Sequence, residues 1–148
     1  MRKRSMRDTD ERRGEDKRNV LDFFRLDGRV ALVTGGSRGL GKSMALGLAQ
    51  AGATTALCAR HRDACEAAAA EIAAQTGQTC LGLAADATRE EEVKRLVEAV
   101  VKRFGRLDVL INSAGVNIRR PIEQLSLDEF TQVMSVNVTA TWLCCRAV

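Results

Sequence analysis

From Gly28 onward, short apolar runs alternate with stretches of helical period. Val30-Ala31-Leu32-Val33 is continuously apolar and is followed by Thr34-Gly35-Gly36, which predicts a buried strand and then a tight turn. A helical pattern runs from about Leu40 to Gln50, with Gly52 as its stop. Thr54-Thr55-Ala56-Leu57-Cys58 predicts a second strand, and an alanine-rich helix follows from about Asp63 to Gln75, ended by Gly77. Cys80-Leu81-Gly82-Leu83-Ala84 predicts a third strand, weakened by its glycine. The most regular helix comes next. Thr88 and Glu91 have capping-box spacing. Val93, Leu96, Val97, Val100, Val101 and Phe104 then share one apolar face, and Gly105 closes the element. Leu107 to Ile111 predicts a fourth strand, and a loop runs through Pro121. A last helix opens on a second capping pair, Ser126 and Glu129. The order βαβαβαβα predicts an α/β fold, a doubly wound parallel sheet with helices on both faces, truncated after about four strands.

Composition fits a soluble globular domain, with 45% hydrophobic and 28% charged residues. No apolar run is long enough to span a membrane, so no membrane partner is expected. The net charge of +4 raises the question of nucleic acid. Residues 1–29 hold ten Lys/Arg and seven Asp/Glu, and the remaining residues hold thirteen and twelve. The excess therefore sits in a leader mixed with acids, with no basic stripe, and no nucleic-acid partner is expected. Residues 1–25 read as a charged, disordered extension and residues 26–148 as one nucleotide-binding domain. The leader has no apolar signal-peptide core, and its acids do not suit a mitochondrial address, so a cytoplasmic location is expected. Five cysteines without CxxC spacing and a single histidine, His61, predict reduced structural thiols and no metal site.

The candidate chemistry begins at Thr34-Gly35-Gly36-Ser37-Arg38-Gly39-Leu40-Gly41, between the first strand and its helix. Glycines there let the chain turn sharply and let backbone N–H groups approach phosphate oxygens, while the helix N-terminus adds its positive dipole end. The overlapping segment Gly36 to Ser43 also satisfies the GxxxxGK[ST] phosphate-loop pattern. On that reading Lys42 would reach the outer phosphates of ATP and Ser43 would hold magnesium.

Further marks separate the two. Thr34 to Gly41 resembles the TGxxxGxG signature of the short-chain dehydrogenase/reductase family. Asp86 follows the third strand, where the family's Asp contacts adenine. Asn112-Ser113-Ala114-Gly115 follows the fourth, where the family has Asn-Asn-Ala-Gly, with Ser113 as a departure. Asn137, in Ser135-Val136-Asn137-Val138, resembles the family's catalytic Asn. The resemblance runs from about Leu26 to the end and implies a Rossmann-type nucleotide-binding domain. It implies cofactor contacts from Gly35, Ser37, Arg38, Gly39, Leu40, Gly41, Asp86, Asn112, Ala114 and Gly115, with Asn112 also credited with fixing the central strands. It further implies a small carbonyl or alcohol substrate and, in a complete protein, a homo-oligomer. The stretch Ser113 to Ile122 is similar to members acting on sugar acids such as gluconate and to 3-oxoacyl-carrier-protein reductases.

Cofactor choice is read about 20 residues past the turn, where an acid would bond a ribose 2′-OH. Here the chain reads Cys58-Ala59-Arg60-His61-Arg62. Arg60 and Arg38 are placed to receive a 2′-phosphate, so NADP(H) is favoured over NAD(H).

The last helix is predicted to bury Phe130, Val133, Met134, Val138 and Thr141, with Asn137 on that same stripe. The family's Asn helps hold a water that connects to a catalytic Lys. Its other catalytic groups, Ser, Tyr and Lys, lie further on, and this chain contains no tyrosine. The ending carries no helix stop, so a truncated product with a bare apolar strand edge and a tendency to associate is expected. The alternative is a non-catalytic dinucleotide-binding or interaction module.

Overall fold

The computed structural model describes residues 19–148, and the first eighteen residues of the expected extension lie outside the described part. Within the rest of that extension, Val20–Phe24 form one turn of 3-10 helix, capped reciprocally by Asn19 and Asp22. It is tied to the domain where the Leu26 N–H donates to the Ala51 carbonyl at 2.7 Å.

The strands are β1 (Val30–Thr34), β2 (Thr54–Ala59), β3 (Cys80–Ala84) and β4 (Val109–Asn112). The helices are α1 (Gly39–Gln50), α2 (Arg62–Thr76), α3 (Glu90–Phe104), α4 (Leu127–Met134) and α5 (Ala140–Ala147). The sheet runs β3-β2-β1-β4 with every pairing parallel. The second and third strands are added on one side of β1 and the fourth on the other. The order therefore reverses at β1, as a doubly wound Rossmann-type sheet requires.

Alternate residues of the central strands face opposite layers. Val33 and Leu57 pack with Ala45 and Ala49 of α1 and with Cys65, Ala68, Ala69 and Ile72 of α2. Val30, Leu32, Ala56 and Cys58 face the other way, onto Leu96 and Val100 of α3. Small alanines on α1 and α2 let those helices lie close to the sheet. Leu32, Val33, Leu57 and Val100 are at most 1% exposed, and each such burial contributes about 1.5–3 kcal/mol. Gly77 and Gly105 end α2 and α3 in the left-handed conformation, where the sequence places the stops.

Three local expectations are corrected. The box expected between Thr88 and Glu91 does not form. Asp86 accepts from the Thr88 N–H at 2.9 Å and from its hydroxyl at 2.7 Å, while its own N–H donates to Glu92 at 2.8 Å. Asp86 draws both the N–H and the hydroxyl of Thr88 into a turn, so Thr88 does not cap the helix and α3 begins at Glu90. The last helix is interrupted, since Ser135–Thr139 form a π-helical stretch between α4 and α5. Phe130, Met134 and Val138 of the predicted buried stripe are 49%, 40% and 51% exposed. The apolar face that packs is instead Ala140, Leu143 and Cys144, against Val93 of α3 and Leu110 of β4. The Ser126–Glu129 box does form, with both reciprocal bonds.

Two polar contacts fix β4 to β1. Asp108, just before β4, accepts from the Val30 N–H at 2.9 Å and from the guanidinium groups of Arg29 and Arg106. The Arg106 hydrogen bond, the Val30 N–H and Arg29 hold its carboxyl well below the usual carboxylate range. At the far end, the buried Thr34 hydroxyl donates to the Ile111 carbonyl and accepts from the N–H groups of Ser113 at 3.1 Å and Ala114 at 3.2 Å.

A depressed carboxylate contributes stability above its unfolded pKa and loses it as pH falls. Asp108→Asn is therefore expected to lower the melting temperature by a few degrees at neutral pH. The gap from wild type should close as pH drops through about 4 and below, followed by thermal melts across pH. Thr34→Val keeps the shape but leaves two N–H groups without their acceptor. It is expected to cost about 1–3 kcal/mol in urea unfolding, and an unchanged midpoint would refute the role given to this hydroxyl.

Candidate cofactor and active site

The carboxyl ends of all four strands carry the candidate residues, and the glycine turn lies where the sheet order reverses. Gly35 turns the chain at φ +67°, and a Cβ there would stand 2.8 Å from the Ala114 Cα. A Cβ on Gly41 would stand 2.4 Å from the Gly35 carbonyl oxygen. Backbone thus fills the space a side chain would need, and the turn folds directly under the start of α1. The Gly36 N–H donates to the Cys58 carbonyl at 3.1 Å, fastening the turn to β2. Burial pushes the Cys58 thiol up to about 12, which makes it an inert packing group.

Arg38 is the N-cap of α1 and makes no side-chain capping bond, and no acid lies in the first turn. The first N–H groups of α1, around Gly39, Leu40 and Gly41, have no acceptor within the helix. Leu40 is 75% exposed and Ser37 half-buried, so this edge is open to a ligand. A cradle closed to side chains and lined by free N–H groups fits a pyrophosphate. Lys42 does not face it: its Nζ pairs with Glu71 of α2 at 2.5 Å, and Ser43 Oγ donates back to the Gly39 carbonyl at 3.2 Å. Neither side chain takes the role that an ATP-binding phosphate loop would give it.

Arg60 leaves the end of β2 exposed, and neither it nor Arg38 has an ion-pair partner among the described residues. Arg62, by contrast, begins α2 and pairs with Glu66 at 3.6 Å. Asp86 stands beyond β3, with one carboxylate oxygen occupied by Thr88. Its burial opposes ionisation, yet the Thr88 bonds and the charges of Arg60 and Arg89 outweigh it, so the carboxyl ionises below its ordinary range.

At the end of β4, Asn112 donates from Nδ2 to Cys145 Sγ at 3.4 Å. Its Oδ1 is buried without a hydrogen bond among the described residues, on a strand that pairs only with β1. Ala114 and Gly115 continue into a loop that Asn137 holds. The Asn137 side chain accepts from the Val116 N–H at 2.8 Å and donates to the Val116 carbonyl at 2.9 Å. The expected buried amide is therefore exposed and satisfied by one peptide unit, and the π-helical stretch carries it there. The structure thus brings together the 35–41 turn, Ala114, Gly115 and Asn137, and places Arg60 and Asp86 just beyond the ends of the adjacent strands β2 and β3. Two participants were not singled out from sequence, the Thr34 hydroxyl and the Val116 peptide. Thr34 is detectable as a polar residue ending an apolar run, whereas a backbone partner leaves no mark in sequence. No cluster of metal-ligating side chains occurs among the described residues, and no described helix is long and apolar enough to cross a membrane.

The family model described as short chain dehydrogenase matches residues 29–148. The chain is 40% identical over 129 residues to D-threitol dehydrogenase of Mycolicibacterium smegmatis, covering 86% of this chain and 49% of that protein. It is 38% identical over 132 residues to gluconate 5-dehydrogenase of Gluconobacter oxydans, covering 86% and 49%. Among solved structures it resembles the Pseudomonas aeruginosa RhlG/NADP active-site complex, with TM-score 0.80, 39% identity and 85% and 48% of the two chains covered. It also resembles an NAD+-bound xylitol dehydrogenase, with TM-score 0.79, 36% identity and 82% and 47% covered. The chain spans about half the length of the curated relatives it matches. Matched from residue 29 to residue 148, it belongs to the short chain dehydrogenase family of oxidoreductases.

Proposed function

We propose that this chain binds NADP(H) in preference to NAD(H), across the crevice between the turns after β1 and β4. The observation that carries the reading is the pair of exposed guanidiniums, Arg38 and Arg60, flanking an uncapped helix N-terminus, with no acid at the end of β2. The pyrophosphate lies on the N–H groups of Ser37 to Gly41, and the ribose 2′-phosphate lies between Arg38 and Arg60. Asp86 meets the adenine, and the nicotinamide end runs toward Asn112, Ala114 and Gly115. Bound there, the cofactor supplies hydride transfer between a hydroxyl and a carbonyl. Asn137 holds the loop beside it and matches the family's catalytic Asn. The 148 residues contain no tyrosine, so binding without turnover is the activity assigned to this chain alone. The whole protein is read as a homo-oligomeric reductase or dehydrogenase of a small carbonyl/alcohol pair in the cytoplasm. Five free cysteines support that reducing compartment.

Calorimetric titration of both cofactors at matched ionic strength tests the reading. NADP(H) is expected to bind at least about tenfold tighter. Arg60→Ala should cost NADP(H) roughly tenfold to a hundredfold while sparing NAD(H), as the loss of charge-assisted bonds to a phosphate implies. Tighter binding of NAD(H), or indifference to Arg60→Ala, would overturn it.

Gly41→Ala drives a methyl group into the Gly35 carbonyl. It is expected to weaken both cofactors by more than about tenfold and to lower the melting temperature, because the cradle itself must open. Unchanged affinity for both in the folded variant would remove the pyrophosphate from this turn.

A further inference from the structure

The connection from β2 to α2 consists of Arg60 and His61 alone, and both neighbours of Arg60 are tied to Cys65. The Cys65 N–H donates to the His61 carbonyl at 3.2 Å, and its Sγ donates to the Ala59 carbonyl at 3.6 Å. The exposed Arg60 thus stands on a short link whose height over the sheet is set by the first turn of α2. Cys65 is fully buried, and its own carbonyl lies over β3 at Gly82. A Cβ on Gly82 would stand 2.4 Å from the Cys65 carbonyl oxygen, 2.5 Å from its carbon and 2.7 Å from the Glu66 nitrogen. Those neighbours are all backbone, so no change of rotamer makes room. Gly82 does not have a positive φ, so space rather than backbone conformation requires the glycine. The residue that weakens β3 as a strand is the one on which α2 rests.

We propose that Gly82 is a positioning residue for cofactor choice: by carrying no side chain it seats the first turn of α2 low on β3, and through Cys65 it sets where Arg60 meets a ribose 2′-phosphate. The proposal rests on the reading that Arg60 receives that phosphate. β3 is paired to β2 along its whole length, and the ladder continues where the Ala85 N–H donates to the Ala59 carbonyl at 3.0 Å. α2 has no such ladder, so a methyl group on Gly82 lifts the helix rather than the strand. The gap has to open from 2.4 Å to about 3.4 Å before the contact is an ordinary one. The His61 carbonyl then follows Cys65 while Ala59 stays with the sheet, and Arg60, between them, is turned. Guanidinium–phosphate bonds are directional, so this displacement costs part of their strength. A 2′-hydroxyl takes no such bonds from Arg60. Gly82 therefore acts on the difference between the two cofactors.

Calorimetry on the full chain with NADP+ and NAD+ tests this, with thermal melts confirming that each variant is folded. Gly82→Ala is expected to weaken NADP+ about threefold to tenfold, part of what loss of the charge-assisted bonds would cost, and to change NAD+ by less than about twofold. In an Arg60→Gln background, Gly82→Ala should no longer alter the ratio of the two affinities. A merely structural role would instead weaken both cofactors alike in either background. Where Gly82→Ala does not fold, Cys65→Ala takes its place, since it releases the Ala59 carbonyl from the thiol and leaves the backbone contact with Gly82 intact. The NADP+ preference is then expected to fall about twofold to threefold, and an unchanged ratio overturns the proposal. Equal losses for the two cofactors, unchanged NADP+ binding in Gly82→Ala, or a fall in the ratio that persists without Arg60 would each overturn it too. If Arg60→Gln alone leaves NADP+ binding unchanged, the underlying placement of the phosphate fails and the proposal fails with it. If Arg60→Gln weakens NADP+ while Gly82→Ala leaves the ratio as it was, only the role of Gly82 is lost.

Discussion

The contact between the end of β1 and the loop after β4 governs most of what this domain can do. Thr34, buried among apolar strands, spends its hydroxyl on three backbone groups of the neighbouring strand and loop, and the next residue, Gly35, lies against the Ala114 backbone. The two chain segments can come this close only because one has no side chain. That closeness sets the turn beneath α1 and aims the helix N-terminus along the crevice. The place where the sheet reverses its order and the place where a dinucleotide can lie are thus one construction. The glycine turn cannot be altered without disturbing the central strand pair.

Charge is distributed around this construction in an uneven but interpretable way. α3 opens with Glu90, Glu91 and Glu92, α4 with Asp128 and Glu129 plus a capping box, and α2 has Asp63 in its first turn. These acids offset the positive helix ends locally. α1 has neither an acid nor a side-chain cap, and an arginine stands at its N-cap. An uncompensated dipole and two guanidiniums without an ion-pair partner among the described residues are costly arrangements for an isolated domain and favourable ones for an anion. Lys42, which would have completed a different phosphate site, is instead held by Glu71 and ties α1 to α2.

How legible this was in the sequence depended on where each interaction's partner lies. The strands β1, β2 and β3 were readable almost to the residue, because buried parallel strands are continuous apolar runs bounded by glycine and polar residues. The start of α3 was misplaced because Thr88 and Glu91 have the spacing of a cap, while Asp86 offers a stronger acceptor two residues earlier. The stripe Phe130, Met134 and Val138 shows that α4 and its continuation are amphipathic. Periodicity alone cannot say which element covers that face, and the packed residues proved to be Ala140, Leu143 and Cys144. The glycine turn, Arg60 and Asp86 were legible as residue types at characteristic positions. That β2 and β3 run side by side, with Ala59 opposite Ala84, followed only from the structure.

Asn137 shows how a polar side chain on an amphipathic helix can order a loop outside that helix. Its two bonds to the Val116 peptide hold the far end of a loop whose near end Thr34 holds at Ser113 and Ala114. Gly115 lies between the two clamps, and a Cβ there would meet Asn137 Oδ1 at 3.2 Å. Fixing a backbone residue costs about 1–2 kcal/mol of entropy, which otherwise falls due when a ligand binds. Here that ordering is met on folding, by groups that a cofactor need not displace. A dinucleotide entering the crevice would find both walls already in place, and its binding energy would go into contacts rather than into arranging the loop.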